Sequence, residues 1–167
     1  MSFRTLGTVP LLLIAACATA TAGDRAIDYL SLYYAVEGRN RAVVQALLER
    51  GAPVNLPAPD LAGPLFYQAV NFDSPLQAPA RNGELEIVRL ILEHHPWIDH
   101  RCCDSPPALG LAADAGHTEI VALLLDAGAD SSIVSYYAPD LQGTPLDAAR
   151  RHAHAAVVEV LKNRKPR

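Results

Sequence analysis

Two stretches of the chain carry the same order of apolar and polar positions. Ser74-Pro75-Leu76, followed by Asn82-Gly83-Glu84-Leu85-Glu86-Ile87-Val88-Arg89-Leu90-Ile91-Leu92, lines up with Pro107-Ala108-Leu109, followed by Ala115-Gly116-His117-Thr118-Glu119-Ile120-Val121-Ala122-Leu123-Leu124-Leu125, at an offset of 33 residues. The same frame takes in Leu32, Ala35, Val43-Val44 and Leu47-Leu48 upstream, and Thr144-Pro145-Leu146 with Val157-Val158-Glu159-Val160-Leu161 downstream, which makes four copies. A repeat of this length marks a row of small supersecondary units rather than one closed core. Within a copy the elements follow from local chemistry. Thr144 is placed to cap a helix whose first residue is Pro145, where the missing N–H costs no bond. The small pair Ala112-Ala113 lets that first helix approach a neighbour closely. Ile120 to Leu125 is apolar nearly all round, as a second helix sandwiched between neighbours should be. Gly51 and Gly128 supply the left-handed residue that ends it. Each copy therefore reads as helix, tight turn, helix and β-turn loop, and none can bury its apolar face alone.

These residues resemble the ankyrin repeat, whose pattern runs Thr-Pro-Leu-His, paired Ala, Gly-His, Ile-Val, a Leu triplet and Gly-Ala-Asp. The third copy carries Ala112-Ala113, Gly116-His117, Ile120-Val121, Leu123-Leu124-Leu125 and Gly128-Ala129-Asp130, and the likeness covers about four fifths of the chain. The resemblance implies an all-α, ankyrin-like solenoid of about four helix-turn-helix repeats joined by β-turn loops. On this frame the domain runs over 28–163, with repeats at about 28–55, 74–99, 107–132 and 144–163, insertions within 56–73 and 133–143, and a basic tail at 164–167. Some positions depart from the pattern. Pro79 falls where the first Ala of the pair belongs, so that helix is expected to kink or to start late. His95 stands where Gly closes the second helix and Trp97 where Asp is usual, which predicts an irregular loop.

The first residues belong to a different category. Arg4, the apolar run Val9 to Cys17 and the small residues Ala18 to Gly23 have the order of an export signal, and the run is too short to span a bilayer. Ile14-Ala15-Ala16-Cys17 resembles the lipobox of bacterial lipoproteins. That likeness implies a signal peptide at 1–16, lipid on Cys17 that restores membrane affinity, a tether at 17–27, and residence at the periplasmic face, as an outer-membrane lipoprotein because Ala18 is not Asp. A cut after Ala20 or Ala22 would instead release a soluble periplasmic or secreted chain.

Composition narrows the function classes. The chain has 167 residues, half of them hydrophobic, with 19% charged and a net charge of −4, which excludes a disordered polymer and a sequence-independent nucleic-acid binder. Charge is uneven, net −10 over 17–147 and +5 over 148–167. The basic end serves first to solvate a terminal helix and favour its carboxyl end, with anionic lipid headgroups as a second use. No nucleophile elbow, phosphate loop or metal motif is present, so neither an enzyme nor a cofactor is expected. The cluster His94-His95-Pro96-Trp97-Ile98-Asp99-His100-Arg101-Cys102-Cys103-Asp104 has ligand-type residues but no zinc spacing, and reads as a solvated loop. Cys102 and Cys103 are either a vicinal disulfide, two free thiols or a bridge to another chain. His117 falls where the resemblance implies structural hydrogen bonding at the inter-helix turn, and His152 and His154 read as surface residues.

What remains is a rim for recognition. Ankyrin proteins bind partners through their turn loops and exposed first-helix positions, and here those positions are Glu37, Gly38, Arg81, Asn82, Asp114, Ala115, Arg151 and His152. Arg101 in the loop and the aromatics Tyr33, Tyr34, Phe66, Tyr67, Tyr136 and Tyr137 are of the types that anchor interfaces, unless the long insertion packs its own aromatics over the first repeats. The expected role is that of a monomeric, non-enzymatic protein-binding module. It would serve as an immunity protein against a toxin or, alternatively, as an assembly or protective factor for a periplasmic enzyme, with a metal-binding protein or enzyme using the 94–104 loop as a third and lesser reading.

Overall fold

The computed structural model describes residues 22–55, 74–101, 106–138 and 141–164. Among these, eight helices run in pairs: α1 (Ala22–Glu37) with α2 (Arg41–Glu49), α3 (Gln77–Asn82) with α4 (Leu85–Leu92), α5 (Ala108–Ala115) with α6 (Thr118–Asp126), and α7 (Pro145–Arg151) with α8 (Ala155–Asn163). Except for the 16-residue α1, the helices have six to nine residues. That is below the length at which an isolated helix holds in water, so packing must hold them. Each first helix packs on the next first helix and each second helix on the next second helix. The core is accordingly a set of rows with one residue from each pair. Leu47, Ile91, Leu124 and Leu161 form one row of second helices, and Leu32, Leu76 and Leu109 one row of first helices, all buried.

The turns between paired helices set the spacing of these rows. Asn40, Glu84, His117 and His154 begin the second helices with φ between −92° and −77° and ψ between 70° and 81°. In each turn the N–H donates to the carbonyl five residues back, Ala35, Pro79, Ala112 or Ala149, at 2.9–3.0 Å. The preceding residue is left-handed in every case: Arg39 (φ 54°), Gly83 (80°), Gly116 (82°) and Ala153 (55°). Glycine at two of these places serves the neighbour as well as the turn. His117 Nε2 donates to the Arg81 carbonyl at 3.0 Å and His154 Nε2 to that of Asp114 at 3.1 Å, because a carbonyl can only accept. To do so each imidazole lies against the glycine of the repeat before it. A Cβ on Gly83 would stand 2.6 Å from the His117 ring, and one on Gly116 2.7 Å from that of His154. Asn40, in the first pair, turns its side chain to its own helix and accepts from Val43 N at 3.2 Å.

The loops form a second set of rungs. Asn55 Oδ1 accepts from Trp97 N at 2.6 Å while its Nδ2 donates to the His95 carbonyl at 3.3 Å. One repeat on, the Asp99 carboxylate accepts from Asp130 N at 3.1 Å and 3.3 Å. The loop at His95 is thus more regular than the sequence suggests: His95 takes the left-handed conformation (φ 54°) that Gly51 (84°) and Gly128 (99°) take in the first and third copies. Pro79 delays α3, which starts at Gln77 and so holds Pro79 in its first turn, where no N–H has an intrahelical acceptor. Buried Gln77 accepts from Ser74 N at 2.6 Å and donates to the Pro106 carbonyl of the next copy at 3.1 Å. Thr144 and Asp147 form a reciprocal capping box at the start of α7. Within the second insertion β1 (Ser135–Ala138) pairs antiparallel with β2 (Leu141–Gly143), a short hairpin where only a loop was expected. The helix α1 begins at Ala22, so residues 22–27, assigned to the tether, are helical. At the other end Arg164 ties the chain to α6 through the Ala122 carbonyl at 2.8 Å and the Asp126 carboxylate.

Two outcomes are expected. Gly116→Ala should cost about 2–3 kcal/mol in urea unfolding, from the left-handed backbone and the His154 ring together, whereas Gly51→Ala, with nothing within 4 Å of its Cβ, should cost only about 1 kcal/mol. The Thr144 N–H and then its hydroxyl hold the Asp147 carboxyl below its ordinary 3.8. A depressed carboxylate stabilises above its unfolded-state pKa, and the gain fades as pH falls through the folded value. Asp147→Asn should therefore lower stability by about 1 kcal/mol at neutral pH, with the gap to the unmodified protein closing below pH 3.8; melting curves at stepped pH read this.

Candidate functional site

Because the turns recur in register, the residues at the ends of the first helices line one edge of the stack. Glu37, Arg39, Arg81, Asn82 and Ala115 are exposed there, with Asp114 and Arg151 half-buried between them. Charge is organised at the first joint, where Arg39 meets Glu84, and at the last. The Asp114 carboxylate lies 3.6 Å from Arg151 Nη2 and 3.2 Å from His152 Nε2, while its carbonyl accepts from His154. The His152 and His154 rings stack with centroids 5.9 Å apart. His154, read from sequence as a surface residue, is instead a wedge between the third and fourth pairs. The signal that could have found it is its place one residue after Ala153, the slot His117 fills in the third copy.

The loop edge carries apolar side chains. Trp97 is 57% exposed, Val134 50% and Tyr136 44%, and the Trp97 ring stacks on that of His100 at 6.2 Å. Arg101 Nη1 donates to the Val134 carbonyl at 3.1 Å and so joins the loop of the second copy to the start of the second insertion, just before β1. Trp97 was missed as a candidate, although a Trp at a loop tip where the pattern has Asp is itself a signal. Of the proposed aromatics, Tyr34 and Tyr136 are exposed. Tyr33 is not a surface residue: with Tyr29, Leu32 and Val36 it forms the inward stripe of α1 and is 6% exposed. Phe66 and Tyr67, together with Cys17, Cys102 and Cys103, lie outside the described residues, as does the side chain of Tyr137.

Among the described residues the titratable groups lie along both edges, and the one cluster, Asp114 with Arg151, His152 and His154, joins the third pair to the fourth. Burial pushes the Asp99 carboxyl up, against the pull of the Asp130 N–H it accepts. Asp130 is held low by the Ser132 hydroxyl and N–H, at 2.7 Å and 2.8 Å. These are turn-fixing contacts. Among the described residues no group of three or more His, Cys, Asp or Glu is placed to hold a metal ion, and no helix is long and apolar enough to cross a membrane. What this geometry offers is an extended display of Arg, Asn, Asp, Tyr and Trp along the edges of a stack of helix pairs, which suits recognition of a surface.

Comparison with known families gives the same answer independently. The family model for ankyrin repeats, three copies long, matches residues 32–135 and again residues 76–166. With the matched span, the paired helices and the recurring turns agreeing, the chain belongs to the ankyrin-repeat family.

Proposed function

We propose that this ankyrin-repeat protein is a recognition module held at the periplasmic face of a bacterial envelope by lipid on Cys17, and that it grips one partner protein along its turn and loop edges. Ankyrin repeats indicate a protein–protein interaction module. One observation carries the finer reading. The helix faces are consumed by neighbour packing, whereas Arg81, Asn82, Trp97, Arg101 and Tyr136 stand exposed along the edges. Arg, Trp and Tyr are the types that dominate binding energy at interfaces. The signal-like order of residues 4–23 supports export, and Ile14-Ala15-Ala16-Cys17 supports lipidation. An exported binder that presents exposed Arg, Trp and Tyr along its edges suits a protein that neutralises another by covering it, as an immunity protein covers a toxin.

One experiment tests anchoring and binding together. The full-length protein and Cys17→Ser are expressed in a bacterium fed a labelled fatty acid, and each is crosslinked in the envelope fraction. The unmodified protein should carry the label and crosslink to one protein, Cys17→Ser should lose the label, and Arg81→Ala with Trp97→Ala should weaken the crosslinked pair by about tenfold or more. An unlabelled protein sinks the anchor. A crosslinked pair indifferent to Arg81 and Trp97 sinks the proposed face, and a partner that is an active enzyme protected from unfolding selects the assembly-factor role over immunity.

A further inference from the structure

The joint between the first and second pairs is built differently from the other two. At those joints a glycine in the turn receives the imidazole of the next repeat. Here the turn residue is Arg39, left-handed at φ 54° despite its side chain, and the next repeat presents Glu84 in the histidine slot. A side chain in that turn excludes a histidine from the slot, since its Cβ would strike the imidazole, as the 2.6 Å and 2.7 Å approaches at Gly83 and Gly116 show. Arg39 Nε instead lies 2.8 Å from Glu84 Oε1. The Glu84 side chain is 14% exposed and both its carboxylate oxygens are closed off from water without accepting a hydrogen bond. Arg39 is thus its nearby counter-charge, and a buried carboxylate that loses its partner strongly disfavours the docked state.

Among the described residues one further ion pair crosses this joint at its turn edge. Arg41 and Glu86 make a second pair, at 3.8 Å and well exposed on both sides, which counts for little. The six-residue α3, started late by Pro79, gives α1 a shorter surface than the eight-residue α5 gives its neighbours, and α1 meets α3 more sparsely than α3 meets α5 or α5 meets α7. We infer that the Arg39–Glu84 pair is a latch, and that α1 and α2 undock from α3 and α4 as a unit when it is broken, ahead of any opening between the later pairs. Undocking bares the buried face of α3 and α4 around Leu76, Val88 and Ile91, so the latch governs whether that face is available. With its guanidinium on the solvent side, 63% exposed, Arg39 is within reach of screening ions.

Amide hydrogen exchange read by mass spectrometry on the full-length protein tests this. Raising salt from about 20 mM to about 0.5 M, which shortens the Debye length several-fold, should speed exchange in 26–49 while leaving 108–163 unchanged. Arg39→Ala, which leaves the Glu84 carboxylate buried without its counter-charge, should speed exchange in 26–49 by about five- to tenfold and abolish its salt dependence. Arg39→Gly with Glu84→His writes the glycine–imidazole joint into this position and should restore slow, salt-independent exchange. Equal acceleration in all four pairs, no acceleration in Arg39→Ala, or a double variant as fast as Arg39→Ala would each overturn the latch. Should Arg39→Ala fail to fold, the salt series on the unmodified protein decides alone: salt-independent exchange in 26–49 overturns it.

Discussion

The structure rests on packing between neighbours that no helix pair can replace from its own residues. Helices of six to nine residues are too short to persist in water, and each presents apolar side chains on more than one side. Val88, Val121 and Leu124 are buried only because a pair lies before them and another after. Spacing is then fixed at the turns. Four turns share one backbone conformation, and at two of them an imidazole fills the space a glycine leaves empty and takes up a carbonyl that the helix end leaves unpaired. Stability in such a stack is a sum over pairs and joints, so a joint built from other chemistry, as at Arg39 and Glu84, gives the stack a local character of its own.

Much of this was legible in the sequence because it is local. The helical pattern inside each copy, the cap at Thr144, the late start imposed by Pro79 and the chain reversals at Gly51 and Gly128 each depend on residues within a few positions of one another. The rest depends on partners a repeat apart. His154 looks like a surface residue until Gly116 and the Asp114 carbonyl are brought beside it. Arg39 and Glu84 look like ordinary helix-end charges until the stack juxtaposes them. Tyr33 and Tyr34 are neighbours of identical type, yet the helical period turns one inward and the other outward. The left-handed His95 and the hairpin at Ser135 to Gly143 were hidden for another reason: the position within the repeat dictates a conformation that residue type alone does not announce.

The same division explains where recognition is to be sought. Side chains that pack rows are spent on the fold, and those that pair across joints, such as Asp114 with Arg151 and His152, stiffen the edge. Arg81, whose carbonyl is held by His117 while its guanidinium stays exposed, and Trp97, whose backbone is pinned by Asn55 while its ring is 57% exposed, combine a fixed backbone with an available head group. A pre-ordered display of this kind keeps down the entropy lost on binding. It also leaves the loops free to vary in chemistry without disturbing the rows.

The claim that neighbour packing, and not helix propensity, holds the chain together is tested most directly by circular dichroism of a peptide of residues 106–132 beside the full-length protein. This peptide holds the most regular of the repeats, with α5 and α6 intact. It should show little helix and no cooperative melting, while the full-length protein melts cooperatively from a strongly helical state. A peptide that is helical by itself and melts with a sharp transition would contradict the account.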